Sequence, residues 1–288
     1  MIFANKVIQN LSFTPKIRNY EIQRRGSARF LGVIVNENLT WNDHTNAVKA
    51  KMSRYVGILY KLKNLIPLAA RKNIFHSFVQ SHINYCSLVW GLGTKTSIEQ
   101  LFIEQKKALR ALAPGFNLNY YKDGKHPCHT KPLFTENNIL TVHSIILSNV
   151  ITFMHKYHNF RSQMPNLVSD IILPNAPRYS LTNDDNAQEW SAGHLSGKSR
   201  SALSFKGPLF YSNFLPEILE LYKENHNNNI FPIPLKAFKG YTKSFLFNTQ
   251  NSGSPEEWEG KNMPLNYITG LPRRHRANIP KVYYGMDK

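Results

Sequence analysis

The sequence predicts a mainly α chain with a small N-terminal β-hairpin, an α+β arrangement in which a helical bundle is followed by an irregular tail. Three observations carry this. β-formers cluster between Ile8 and Val35, apolar residues recur at helical spacing from 41 to 157, and Asn, Ser, Pro and Gly break the pattern beyond 160. The expected boundaries are 1–40 for the hairpin region, 41–158 for the helical domain and 159–288 for the loop-rich tail.

Taken in order, Ile17, Tyr20 and Ile22 are β-formers after Pro15. The run Arg24-Arg25-Gly26-Ser27 offers a turn into a second strand, FLGVIV, from Phe30 to Val35. A hairpin alone is marginal in water, so it must pack on helices or belong to a larger sheet. The first helix is marked by Val48, Met52, Tyr55, Val56, Leu59 and Leu62, with Lys51, Arg54 and Lys61 opposite that stripe and Pro67 beyond it. A second helix is expected to open at Pro67 and run through Ile74, Phe78, Ile83 and Leu88 to Gly91. A third begins at Thr96, whose hydroxyl and Glu99 fit a capping box, and ends at Pro114-Gly115. A fourth, from Leu140 to Tyr157, is apolar enough to be buried. The island SALSFKGPLFYSNFLPEILELY, Ser201 to Tyr222, stands between expected loops at Asn183–Gly197, His226–Asn229 and Thr249–Gly260.

Composition restricts function. Of 288 residues, 42% are hydrophobic and 12% aromatic, enough for one good core and a second small one. The formal charge of +18 implies a polyanionic partner or a solvating basic face. Residues 1–125 hold 19 basic and 6 acidic side chains, whereas the remainder holds 17 and 12, so the basic character belongs to the first half. Cys86 and Cys128 are far apart and imply no disulfide framework, which favours a reducing compartment. The opening MIFANKVIQN lacks the pattern of a signal peptide, and no stretch offers roughly 18 uninterrupted apolar residues. The expectation is an intracellular protein of cytoplasm or nucleus with no membrane contact.

Catalytic chemistry finds little support. Nucleotidyl transfer needs paired carboxylates held rigidly on two metal ions. The one adjacent pair, Asp184-Asp185, sits in the polar stretch SLTNDDNAQ, which reads as a solvated loop. His126, Cys128 and His129 are dense, yet lack the second ligand pair of a zinc site. His155 and His158 read as a polar edge of the fourth helix. No catalytic or metal-ligating residue is assigned, and no GxSxG, HExxH or GxxxxGK(S/T) motif is present.

Binding is better supported, because Lys and Arg neutralise phosphates without reading bases. The candidates are Arg24, Arg25 and Arg29 in the hairpin, Lys49, Lys51 and Arg54 on the first helix, and Lys106, Lys107 and Arg110 on the third. Ordinary solvated faces are the alternative for each cluster.

The order of the segments adds a resemblance. FLGVIVNENLTWNDHTNAVKAKM, Phe30 to Met52, resembles the pattern (Y/F)LG-hydrophobic-x-(D/N)-x-x-L-x-W-x-x-H that follows the active-site strands in reverse transcriptases of jockey-like non-LTR retrotransposons. HSFVQSHINYCSLVWG, His76 to Gly91, is similar to the family's Y-x-x-x-I-x-P-x-x-x-Y-G-x-x-x-W-G thumb segment. IEQLFIEQKKALRALAPGF is similar to its L-x-x-x-Q-x-x-x-x-R-x-I helix. HTKPLFTENNILTVHS and KSRSALSFKGPLFYSNFLPEI resemble the tail of many animal elements. These segments cover most of residues 5–220, and the block from 5 to 52 is the most specific.

The resemblance implies that 1–40 is the end of a palm, 41–158 a thumb-like domain and 159–288 a tail. Phe30, Leu31 and Gly32 become a primer-grip-like turn, and Lys49, Lys51 and Arg54 become contacts to a template-primer backbone of RNA, DNA or their hybrid. Gly32 has two physical readings: it admits another backbone closely, or it relieves a bend in the strand. The catalytic aspartates, including an (F/Y)ADD strand, are expected before Met1, with NKVIQNLSF, Asn5 to Phe13, just after that strand. The chain is then a truncated RNA-directed DNA polymerase that is no enzyme alone. No cofactor is expected for it, Mg²⁺ serving only the full-length polymerase. Cys86 departs from the family's Gly after Tyr85, Ser81-His82 replaces the Pro-centred stretch, and no CCHC knuckle follows. The alternative is a non-enzymatic basic scaffold or protein-interaction protein.

Overall fold

The computed structural model describes residues 16–21, 25–112, 130–165, 203–225 and 233–252. The expected features at Asn5–Phe13, Pro114-Gly115, His126 to His129, Asn183–Gly197 with Asp184-Asp185, and His226–Asn229 lie outside these residues, as does Arg24. The described chain is mostly helical, with two small antiparallel hairpins at its start. The chain packs as two units, Met1–Cys86 with Gly93–Phe116 and Ser87–Leu92 with Asn117–Lys288.

The strands depart from expectation in an instructive way. β1 (Lys16–Ile17) pairs with β2 (Tyr20–Glu21), and β3 (Ser27–Phe30) pairs with β4 (Val33–Asn36). FLGVIV is therefore not one strand but two, with Phe30 opposite Val33 across a two-residue loop. Leu31 and Gly32 take φ values of 45° and 82°, the positive pair that a type I′ hairpin turn demands. That geometry suits the natural twist of the strands, and it outweighs the β-propensity of a continuous apolar run. Arg25-Gly26-Ser27 leads into β3 and does not join the two expected strands.

In the first unit, α1 (Asn42–Leu62) packs along α5 (Lys95–Leu112). Val48, Met52, Val56 and Leu59 form the buried stripe of α1, and Ile98, Leu101, Phe102, Ala108, Leu109 and Leu112 that of α5. Each fully buried side chain of this size contributes roughly 1.5–3 kcal/mol against exposure. The expected second helix is interrupted. It runs as α2 (Leu68–Ile74), a π-helical stretch Phe75–Gln80, and α3 (Ser81–Asn84). Phe75, Val79 and Ile83 are completely buried at a spacing of four. On a 3.6-residue turn that spacing drifts by about 40° per step, and the wider π turns absorb the drift. The run ends at Cys86, whose φ is 52°, and α4 (Ser87–Trp90) restarts in the second unit. The third helix starts two residues earlier than Thr96 suggested. Thr94 Oγ1 accepts the Ser97 amide at 3.4 Å and contacts the Ser97 hydroxyl at 2.7 Å, so Thr94 is the cap.

The second unit centres on α7 (Val142–Asn159), buried on most sides as expected and capped by Thr141, whose Oγ1 accepts the Ser144 amide at 3.2 Å. It packs against α4, α8 (Leu203–Asn225) and α9 (Leu235–Ser252), with α6 (Lys131–Glu136) preceding it. Gly91 is a close-approach glycine: a Cβ there would overlap the Ser87 carbonyl and lie 2.8 Å from Ile146 Cγ2 of α7. Two long helices stand where the sequence suggested only islands and loops, and Thr249 to Ser252 continue α9 rather than opening a loop. His155 is also no edge residue. It is wholly buried, with Nδ1 facing the Tyr211 hydroxyl at 3.1 Å, Nε2 facing the Ile233 carbonyl at 2.8 Å, and its ring stacked on Phe238 at 3.7 Å.

Candidate nucleic-acid interface

The site begins at the β3–β4 turn. Phe30 and Leu31 are 69% and 73% exposed, and Arg29 and Arg25 are exposed on and before the same strand. The turn is braced from below: the Tyr85 hydroxyl donates to the Leu31 carbonyl at 2.5 Å. A Cβ on Gly32 would meet only the Tyr85 ring, at 3.4 Å, which is ordinary contact. Of the two readings of Gly32, the turn decides, since positive φ and not a close backbone requires glycine there.

The residues after the turn fasten the hairpin to α1. Asn36 donates through Nδ2 to Thr40 Oγ1 at 2.6 Å and to Asp43 Oδ2 at 3.2 Å, while its Oδ1 accepts the Thr40 amide at 2.8 Å. His44, buried at the start of α1, accepts the Ile34 amide on Nδ1 at 3.3 Å. Burial, and then the nearby Lys51 charge, push its pKa below the ordinary value, which keeps Nδ1 an acceptor.

One turn and more along α1, Lys51 is half-buried and Arg54 exposed, and among the described residues neither has a carboxylate partner. His82 of α3 stands beside them: burial lowers its pKa first, and Lys51 and Arg54 lower it further. Between these groups lies an aromatic stack. Tyr55 packs on Phe78 at 4.8 Å and 22°, and on His82 at 5.7 Å and 30°. Sequence reading counted Tyr55 and Phe78 among the core positions, yet Tyr55 is half-exposed and Phe78 44% exposed beside the cations. His82 and Tyr85 were not nominated; the signal available was their helical spacing from Phe78.

The other candidates are occupied within the protein. Lys49 Nζ donates to Gln100 Oε1 at 2.7 Å, tying α1 to α5. Lys106 lies over the Phe102 ring at 4.6 Å, and Lys107 pairs with Glu104 at 2.8 Å. Burial lowers the pKa of Arg110, which is no solvated side chain. The third-helix cluster is thus engaged in packing, and the candidates left open among the described residues are Arg25, Arg29, Lys51 and Arg54. Among the described residues no three His, Cys, Asp or Glu side chains are placed to hold a metal ion, and no helix is long and apolar enough to cross a membrane.

Compared with protein-family models, curated proteins and solved structures, the chain finds no match in any of the three.

Proposed function

We propose that the unit containing β1–β4, α1–α3 and α5 binds the sugar-phosphate backbone of a nucleic-acid duplex, as the primer-grip and thumb region of a non-LTR retrotransposon reverse transcriptase does. The observation that carries this is the open pair Lys51 and Arg54, set beside His82 and the Tyr55–Phe78 stack with no carboxylate partner among the described residues. Cations without protein partners neutralise phosphates, and half-exposed rings beside them offer faces for stacking or for cation–π contact.

Two further features support the reading. Tyr85, in the thumb-like segment, braces the turn formed by the grip-like segment, so two separately recognisable stretches depend on each other. Cys86, which stands where the family pattern has Gly, adopts a φ of 52°, a backbone state that favours glycine. In this reading the chain holds template-primer and carries out no nucleotidyl transfer by itself, since among the described residues no group of carboxylates is placed to hold a metal ion.

The test is a fluorescence-anisotropy titration of an RNA–DNA hybrid and of duplex DNA across a salt series. Saturable binding that is indifferent to sequence and falls linearly in log K against log salt is expected. Absence of such binding favours the second reading, a basic scaffold whose cations serve solubility or protein contacts.

A further inference from the structure

A second cationic cluster lies at the other end of the same unit, ~14 Å along α1 from Lys51. Three helix ends supply it. Tyr60 and Lys63 come from the last turn of α1 and just beyond, Arg71 from α2, and Arg110 from the last turn of α5. Arg71 is only 4% exposed, and its Nη1 donates to the Ala111 carbonyl at 3.4 Å, which places it against the end of α5. That contact satisfies one of its donors. Among the described residues its Nε, buried, has no hydrogen-bond partner, and neither have the buried Arg110 Nε and Tyr60 hydroxyl.

The charges are close enough to act on one another. Burial lowers the pKa of Lys63, and Arg71 lowers it further; burial raises that of Tyr60 against the opposing pull of Arg110. Among the described residues no carboxylate pairs with Arg71 or Arg110, and Glu104 of α5 is paired with Lys107 instead. A guanidinium cannot shed its proton to escape burial, so an uncompensated pair of them calls for a counter-charge. Unmet N–H and O–H donors call for an acceptor as well. One tetrahedral oxyanion answers both needs, since guanidinium forks match its oxygens and each accepts several hydrogen bonds.

We propose that Arg71, Arg110, Lys63 and Tyr60 form a binding site for a phosphate-class oxyanion, carried either by free phosphate or by a nucleic-acid backbone. Arg71 is buried, and Tyr60, Lys63 and Arg110 are half-buried and keep part of their surface in solvent. The site is distinct from the Lys51–Arg54 face, so its failure leaves that reading standing.

The experiment is thermal unfolding of the full chain at constant ionic strength, with chloride replaced stepwise by inorganic phosphate, and in parallel with a short RNA–DNA hybrid added. A saturable rise in the midpoint is expected, with apparent affinity weakened about tenfold or more in Arg71→Met, the size of losing one charge-assisted bond. If Arg71→Met does not fold, Arg110→Met and Tyr60→Phe carry the same readout. Dependence on phosphate identifies a free oxyanion, and dependence on the hybrid alone identifies a backbone phosphate; both support the site. The proposal is overturned if neither probe gives a rise that these variants weaken. It is overturned equally if Lys51→Ala/Arg54→Ala or Lys236→Ala/Lys239→Ala weakens the phosphate response as much, since that is diffuse attraction to a chain of charge +18.

Discussion

Replacing Lys51 and Arg54 together by Ala removes two open cations of α1 and little else, since neither is in the buried stripe of that helix. The fold should survive with its unfolding midpoint nearly unchanged. If each cation meets one phosphate, the slope of log K against log salt should become shallower by about 0.9 per contact, or roughly 1.8 for the pair. Between about 50 and 200 mM salt, wild-type affinity should then fall roughly tenfold further than that of the variant. The loss should be alike for unrelated sequences, because phosphate contacts position a duplex without specifying it. The assay is anisotropy titration at four or more salt concentrations, with Lys236→Ala/Lys239→Ala as control, both lysines being exposed on α9. Equal losses from the two double variants would show attraction to any basic face, and the assignment of a grip on α1 would have to be withdrawn.

Four other outcomes are expected. Cys86→Gly relieves a φ of 52° at a cost in unfolded-state entropy, and a net stabilisation of up to about 1 kcal/mol should appear in urea unfolding. Tyr85→Phe loses the bond to the Leu31 carbonyl, worth about 0.5–1.5 kcal/mol, and the amides of the β3–β4 hairpin should exchange faster while those of Ile145 to Ile151 do not change. His158, stacked on Tyr211 at 4.9 Å, has its pKa lowered from 6.5 to about 4, first by burial and then by His155 and Arg161. Its folded pKa lies below the unfolded one, so below pH 6.5 only the unfolded chain takes up the proton. The contribution of His158 should be complete above pH 6.5 and fall by up to roughly 3 kcal/mol toward pH 4, and His158→Phe should remove that share of the acid loss. Finally, purified chain should extend no primer on RNA or DNA template with Mg²⁺ or Mn²⁺; template-dependent incorporation above a protein-free control would contradict the proposed division of labour.

Periodicity read the first unit well and the second poorly, for a physical reason. Val48, Met52, Val56 and Leu59 are apolar in sequence and buried in fact, so α1 is visible as a stripe. In α9 the buried ladder is Phe238, Thr242, Leu246 and Gln250, and half of it is polar. Gln250 belongs there because its side chain bridges two backbone groups, accepting the Thr141 amide at 3.0 Å and donating to the Ile139 carbonyl at 3.2 Å. Such a residue looks like a loop residue until its partners, more than a hundred positions away, are placed. His155 was misjudged for the same reason, its two ring nitrogens being satisfied by Tyr211 and by the backbone at Ile233. Prolines 208 and 216 inside α8 likewise argued against a helix that tertiary packing nevertheless holds.

The candidate site shows the same division between residues that build and residues that are free to bind. Within the segment that carries the resemblance, Asn36, Thr40, Asp43 and His44 spend their side chains on fastening the hairpin to α1, and Lys49 spends its charge on α5. Those positions are fixed by architecture, and any protein that needed this hairpin on this helix would have reason to keep them. Among the described residues Lys51 and Arg54 make no such bond, and neither lies in the buried stripe of α1. Their charge is a cost to a basic unit unless something outside the protein is there to neutralise it. What the motif fixes is therefore a platform, and the function proposed rests on the groups that the platform leaves open.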